Sequence, residues 1–448
     1  MKKTVLSAIL LCSALLAKAQ SDQIVKTGYN FGALPAVAFD ADKGFQYGAI
    51  LQIYNYGDGH NYPNYDHYTY FEYSRFTKGS QLIQVQHDNK VLIPGIRWSS
   101  SVRISLDKAF DFYGFNGYQS YYAYDMVEKG KAGEMFRFTP FYRMKKNEFS
   151  FKSDLLGTIT DRLRWEFGIF ARYYQMGEID YANVNKGKKE SAIFPETMPT
   201  LYGIYKKYGI ISSDEADGGL SSGLRAGMVY DSRDKEGAPT RGIWAEGHVT
   251  ASLPYISTIP FYRYSFTWRH YLPIVTNDKL TFAYRLNYEG NIGKSAPFYA
   301  IPYMTAMGSN CDYDGMGGYR TARGIMRSRV VGLDMMAYNL ELRWRPVSFK
   351  MINQNFAIGL SMFSDGCMAT RSLDISPLRL VLATPVPVCA QKKDSLHATV
   401  GAGLRIIMNE NFIVAAEYGT PFSHFKKDSP LYNQDGTGAL YINIGYLF

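Results

Sequence analysis

Large apolar residues fall on every second position along much of the chain. Leu163, Trp165, Phe167, Ile169, Ala171 and Tyr173 alternate with Arg162, Arg164, Glu166, Gly168, Phe170 and Arg172. Tyr262, Tyr264, Phe266 and Trp268 alternate with Arg263, Ser265, Thr267 and Arg269. Leu280, Phe282, Tyr284, Leu286 and Tyr288 alternate with Thr281, Ala283, Arg285, Asn287 and Glu289, and Tyr338, Leu340, Leu342 and Trp344 with Asn339, Glu341, Arg343 and Arg345. A period of two is the signature of a strand, whose successive side chains point to opposite faces. The runs are about ten residues long, which is what a tilted strand needs to cross a bilayer.

The same pattern predicts sixteen strands, near 33–40, 44–55, 66–77, 80–92, 96–107, 135–159, 162–176, 219–231, 242–254, 260–273, 279–290, 334–346, 354–368, 397–408, 412–422 and 439–448. Splitting 135–159 at Lys145-Lys146-Asn147 would make seventeen. Bacterial barrels have even strand numbers, so the segment is read as one strand. The connections then sort themselves. Segments 108–134, 177–218, 291–333, 369–396 and 423–438 become long outer loops, and 160–161, 274–278 and 409–411 short inner turns. A short helix is expected near Leu201–Ile211.

The first residues, MKKTVLSAILLCSALLAKAQ, have the layout of a secretory signal: Lys2 and Lys3, an apolar core, and Ala17-Lys18-Ala19 as the cleavage site. An uncleaved anchor is the alternative, but the core is short for one. The expected organisation is a signal peptide 1–19, a short periplasmic segment 20–32 and a barrel 33–448. In an exported chain, a face of aromatics opposite a face of Arg and Glu reads as lipid outside and lumen inside. After residue 20 nothing approaches the roughly 18 apolar residues of a membrane helix. Bilayers admit only helices or closed barrels. The fold class is therefore all-β, a sixteen-stranded antiparallel transmembrane barrel in contact with outer-membrane lipid.

Composition fits. Of 448 residues, 46% are hydrophobic and 20% charged, with 37 Tyr and 27 Phe against 5 Trp, and 41 Gly. The hydrophobic share argues against disorder, and the length, room for two or three domains, is consumed by one barrel. Losing Lys2, Lys3 and Lys18 takes the net charge from +9 to +6. With no basic run or recognition motif, no nucleic-acid partner is expected. Cys311, Cys367 and Cys389 remain after the signal. A Cys367–Cys389 bridge would staple a loop of about 20 residues; three unpaired side chains are the alternative.

Three segments go beyond a generic barrel. Asp231-Ser232-Arg233-Asp234 with Pro239 and Gly242 spells D-x-R-D-x4-P-x2-G. The loop 291–333 carries Arg323-Gly324, and the strand 354–368 carries Phe363 and Asp365 as F-x-D. The last strand alternates Leu440, Ile442, Ile444, Tyr446 and Phe448. In this order they resemble the BamA/TamA superfamily of outer-membrane barrels, the bacterial surface antigen family, over essentially the whole mature chain. Ala322 and Ile325 depart from the branched and aromatic residues usual beside the Arg-Gly. The resemblance implies a sixth outer loop folded into the lumen, with Arg323 paired to Asp365 on the inner wall. It implies that Tyr446 and Phe448 end a barrel-insertion signal. Residues 20–32 are too few for a periplasmic POTRA domain, so a POTRA-less member is expected.

The seam between first and last strands is weakened by Pro35, which cannot donate to a ladder, and by Gly445. Sideways opening and ordinary edge chemistry both remain open. Gly219-Leu220-Ser221-Ser222-Gly223 fits G-x-S-x-G only formally, because a nucleophile elbow needs strand–turn–helix and a strand follows. His248 and Glu246 read as a lumen-lining pair. No metal spacing or cofactor motif occurs, so neither an enzyme nor a cofactor is expected. The function implied is insertion or transport of polypeptide or lipid at a Gram-negative outer membrane, with a protein partner supplying the POTRA role. A passive pore or structural barrel is the alternative, and an outer-membrane hydrolase a distant third.

Overall fold

The computed structural model describes residues 24–40, 44–127, 139–190, 193–275, 279–293, 296–305, 313–380, 393–444 and 448. The expected signal peptide lies outside these residues, as do Cys311, Cys389, Gly445 and Tyr446. The strands are β1 (Tyr29–Asp40), β2 (Gly44–Asn55), β3 (His67–Phe76), β4 (Gln81–Ile93), β5 (Ile96–Asp111), β6 (Arg143–Thr158), β7 (Leu163–Gly177), β8 (Gly218–Asp231), β9 (Gly242–Ser252), β10 (Phe261–Pro273), β11 (Leu280–Ile292), β12 (Tyr303–Met304), β13 (Tyr313–Asp314), β14 (Asp334–Met351), β15 (Gln354–Arg371), β16 (His397–Met408), β17 (Phe412–Pro421) and β18 (Ala439–Ile444). All except β12 and β13, a small hairpin inside the sixth outer loop, form one sixteen-stranded antiparallel sheet in chain order. Its ends meet. A Cβ on Gly32 of β1 would fall 2.2 Å from the Phe412 ring at the start of β17, and the Tyr54 hydroxyl donates to the Asn411 carbonyl at 3.2 Å.

Each of the sixteen expected strands is present, with shifted limits. β1 starts at Tyr29 rather than 33, because Tyr29 to Gly32 find ladder partners in Gln52 to Asn55. The strand expected from 135 starts at Arg143. Before it, Thr139–Tyr142 forms a 3-10 turn containing Pro140, which has no N–H for a ladder. Lys145, Lys146 and Asn147 lie inside β6, opposite Gly177, Met176 and Gln175, so the strand is not split there. The last strand is described from Ala439 to Ile444, and residues 445–447 lie outside the described residues.

The alternation sorts the side chains as a membrane barrel requires. Phe266 and Leu404 are each 47% exposed on the outer face, while Arg225, Arg323, Arg329 and Arg405 are among the largest fully buried side chains. A soluble core reverses that order. At the long-loop end, Phe112, Phe115, Tyr142, Tyr202, Tyr205, Phe298 and Tyr299 pack into an aromatic cap drawn from three loops. Phe112 and Tyr205 meet edge to face at 5.4 Å, a favoured ring geometry. The expected helix is there as Leu201–Lys207, and the Thr200 hydroxyl accepts its Gly203 N–H at 3.0 Å. It is shorter than expected because the chain turns left-handed at Gly209, φ +71°.

Candidate functional site

The sixth outer loop enters the barrel and lies against the wall of β14 to β18. The alternation points Glu341 and Arg343 of β14, Phe363 and Asp365 of β15, Arg405 of β16 and Glu417 of β17 inward. Arg323 lands among them. Its Nε donates to Asp365 at 2.8 Å, its Nη2 to the other Asp365 oxygen at 3.0 Å, and its main-chain N–H to Asp365 at 3.0 Å. Nη1 reaches Glu417 at 2.8 Å and lies 3.8 Å from Glu341. The guanidinium carbon sits 3.5 Å from the centroid of the Phe363 ring, close enough for a cation–π contact. Arg405 bridges Glu341 and Glu417, and Arg343 reaches Glu341 at 3.1 Å. Three guanidiniums therefore meet three carboxylates, all nearly or fully buried. A planar fork matched to a carboxylate fixes direction as well as charge.

Gly324 explains why an Arg-Gly pair does this. It sits at φ +97°, and a Cβ there would meet the Gly419 backbone at 2.6 Å. Two glycines thus let the loop main chain touch the β17 main chain. The Gly324 N–H donates to the Tyr441 hydroxyl of β18 at 3.0 Å. On the other side, Arg285 donates to the Arg320 carbonyl and Asn339 to the Thr321 carbonyl. The loop also holds the cap. Arg329 donates to the carbonyls of Gln434, Gly117 and Ser120 at 2.7, 2.9 and 2.9 Å.

The D-x-R-D segment is remote from this lock and shapes the short-turn end. Arg233 makes a two-bond pair with Asp231 at 2.9 and 3.0 Å and lies over the Trp244 ring. Asp234 accepts from the Thr240 and Arg241 N–H groups. Pro239 lies within this turn, and Gly242 closes it at φ +100°, where a Cβ would meet the Ser232 carbonyl. The fold delivers Glu236 to Lys90 at 2.9 Å and Arg97 at 3.3 Å. Burial alone would raise the Glu236 carboxyl, but Arg97, Lys90 and Arg233 hold it well below the usual range. Beside it, Asn355 grips Ile24 through both its main-chain groups, and Asn411 donates to Tyr56 and the Pro63 carbonyl.

Phe448 does not continue the outward row of Leu440 and Ile442. It is buried in the lumen near Tyr271 and Ala283, and its carbonyl accepts from Arg343 at 2.8 Å. The guanidinium and the Tyr271 ring offer Phe448 partners that a lipid-facing position lacks. Tyr446 lies outside the described residues. Cys367 is buried, and Cys389, its suggested partner, also lies outside them. The sequence reading found Arg323 and Asp365 but gave no role to Glu417, Arg405, Glu341 or Arg343. For Arg405 and Glu417 the available signal was a lone charge at an inward position of an otherwise apolar strand; for Glu341 and Arg343 it was a pair of opposite charges on successive inward positions of β14.

The family model for an Omp85 superfamily domain matches residues 135–448. The fold is similar to the crystal structure of BamA from Haemophilus ducreyi lacking POTRA domains 1–3, with a TM-score of 0.51 and 15% identity over 94% of this chain and 70% of that one. It is also similar to CdiB from Escherichia coli, with a TM-score of 0.49 and 9% identity over 88% of this chain and 59% of that one. CdiB from Acinetobacter baumannii gives 0.45 and 12% over 94% and 60%. Comparison with curated protein sequences gives no significant match. With the family model spanning well over half of the residues, the chain belongs to the Omp85 superfamily as a sixteen-stranded β-barrel.

Proposed function

We propose that this chain is an assembly or translocation barrel of the Gram-negative outer membrane, closed at rest by its sixth loop, that passes polypeptide or lipid delivered by a protein partner. One observation carries the reading. Arg323-Gly324 is bonded at once to the lumen wall, through Asp365 and Glu417, and to the seam strand, through Tyr441. Moving β18 therefore disturbs the plug, and moving the plug disturbs β18. The partner takes the POTRA role at the short-turn end. The reading is non-enzymatic: Ser221 lies within β8 and faces the lumen.

Depletion of the protein followed by outer-membrane proteomics and lipid analysis tests this. A defined set of barrels or a lipid component is expected to fall. Unchanged levels of every component would leave a passive pore or structural barrel. Bilayer conductance gives the second arm: low for wild type, higher and less steady for Arg323→Ala. A wild-type barrel already fully open, and unaltered by the substitution, would remove the lock.

A further inference from the structure

At the long-loop end, outer loops meet around one imidazole. His397 opens β16 and is fully buried. Its Nδ1 lies 2.6 Å from Asp435 and its Nε2 3.0 Å from Asp394. Asp394 belongs to the loop between β15 and β16, and Asp435 to the loop between β17 and β18. The Tyr118 ring, from the loop between β5 and β6, stacks on the imidazole at 3.6 Å. Both carboxylates act as acceptors. Asp394 takes the Tyr118 main-chain N–H at 2.9 Å on one oxygen and that of Ala369 at 2.8 Å on the other. Asp435 takes the hydroxyls of Tyr118 and Ser423. Its main-chain carbonyl accepts the Met326 N–H of the sixth outer loop at 3.1 Å.

A neutral imidazole has one N–H and one bare lone pair, whereas the imidazolium donates from both nitrogens. With a carboxylate on each side, the arrangement needs both protons. The other charged or titratable groups around the ring do not substitute for one. Each nitrogen of Arg329 already gives to a carbonyl, those of Gln434, Gly117 and Ser120. Tyr118 already donates its hydroxyl to Asp435. Cys367 stands opposite His397 in the β15–β16 ladder, and a thiol is a weak donor. Loss of one ring proton therefore sets a lone pair against a buried carboxylate. We propose that His397 is a proton-operated latch on the outer cap: with both ring protons it ties three outer loops together beside the sixth, and with one it releases Asp394 or Asp435. The sign follows directly. The latch is whole on the acid side and is lost as pH rises through the range where imidazole titrates. It stands on the cap geometry, whatever the barrel passes.

Hydrogen exchange read by mass spectrometry on the full chain in detergent tests this, with rates corrected for their intrinsic dependence on pH. The peptides to follow carry Tyr118, Ala369 and Met326, whose main-chain N–H groups the two aspartates hold. They should exchange at least about tenfold faster at about pH 9 than at about pH 5, the scale of one charged hydrogen bond lost. His397→Gln should exchange fast at both, with no step between. Asp435→Asn removes one of the two negative charges beside the ring, so its step should fall at lower pH. Heat-modifiable migration checks that each barrel is folded. Should a variant not fold, the wild-type profile and the other variant decide. A flat wild-type profile in the folded barrel overturns the latch. So does a step that His397→Gln retains, or one that Asp435→Asn leaves in place.

Discussion

On the wall of β14 to β17, three guanidiniums meet three carboxylates and a loop that covers them. On the wall of β6 to β11, Arg263, Ser221 and both ring nitrogens of His248 are buried with donors or acceptors unmet. Both walls come from one alternation, and both place charges at inward positions. The difference is the third segment. The sixth loop brings Arg323 to a wall that would otherwise hold Glu341, Asp365 and Glu417 against only Arg343 and Arg405. The same loop reaches Arg263 only through the Ala300 carbonyl and brings it no opposite charge. Inward charge is therefore supplied by strand periodicity, but closure by the loop that neutralises it.

Arg323→Ala should break the contrast most. It leaves three buried carboxylates with two guanidiniums, and removing one partner of a buried pair costs about 3–5 kcal/mol. The midpoint of heat-modifiable unfolding should fall and conductance rise. Arg323→Ala with Asp365→Ala restores equal numbers and should recover about 0.5–3 kcal/mol relative to the sum of the single losses. A strictly additive double variant would show that charge balance is not what holds the wall. Gly324→Ala comes next, at about 1–3 kcal/mol, because it forces φ +97° on a side chain and drives a Cβ into Gly419. His248→Ala, on the opposite wall, should cost less than about 1 kcal/mol, since it forfeits packing but no hydrogen bond. A loss equal to that of Arg323→Ala would erase the distinction between the walls.

The barrel was legible because a period of two runs through Leu163 to Tyr173 and Tyr262 to Trp268 without help from distant residues. Arg323 and Asp365 were legible only through a resemblance in their motifs. Glu417 and Arg405 were not. Periodicity says which face a residue takes, but the height at which it meets residues of another strand depends on register. In β16–β17 the ladder sets Gly403 opposite Glu417 and Arg405 opposite Ala415, and nothing local in the sequence states that offset. Phe448 misled for a related reason. Its alternation with Ile442 is sound, but Phe448 itself lies inward against partners on β10 and β14. The unmet donors of Arg263 were invisible, because an unmet donor is a property of what surrounds it.

The short-turn end underlies both walls and gives the most specific test. Glu236 is tied to Lys90 and Arg97, and its carboxyl is held below the usual range. A group depressed in the folded state stabilises fully above its unfolded value, about 4.3 for Glu, and that contribution drains as pH falls below it toward the folded value. Glu236→Gln should therefore cost about 1 kcal/mol at pH 7, and the gap to wild type should narrow as pH is lowered from about 5 to 3. Unfolding midpoints of the two proteins across that window decide it. A gap that holds or widens at pH 3 would mean that Glu236 acts through packing rather than charge. A gap that closes while Arg323→Ala remains as damaging at pH 5 as at pH 7 would separate an acid-labile floor from a lock that does not depend on it.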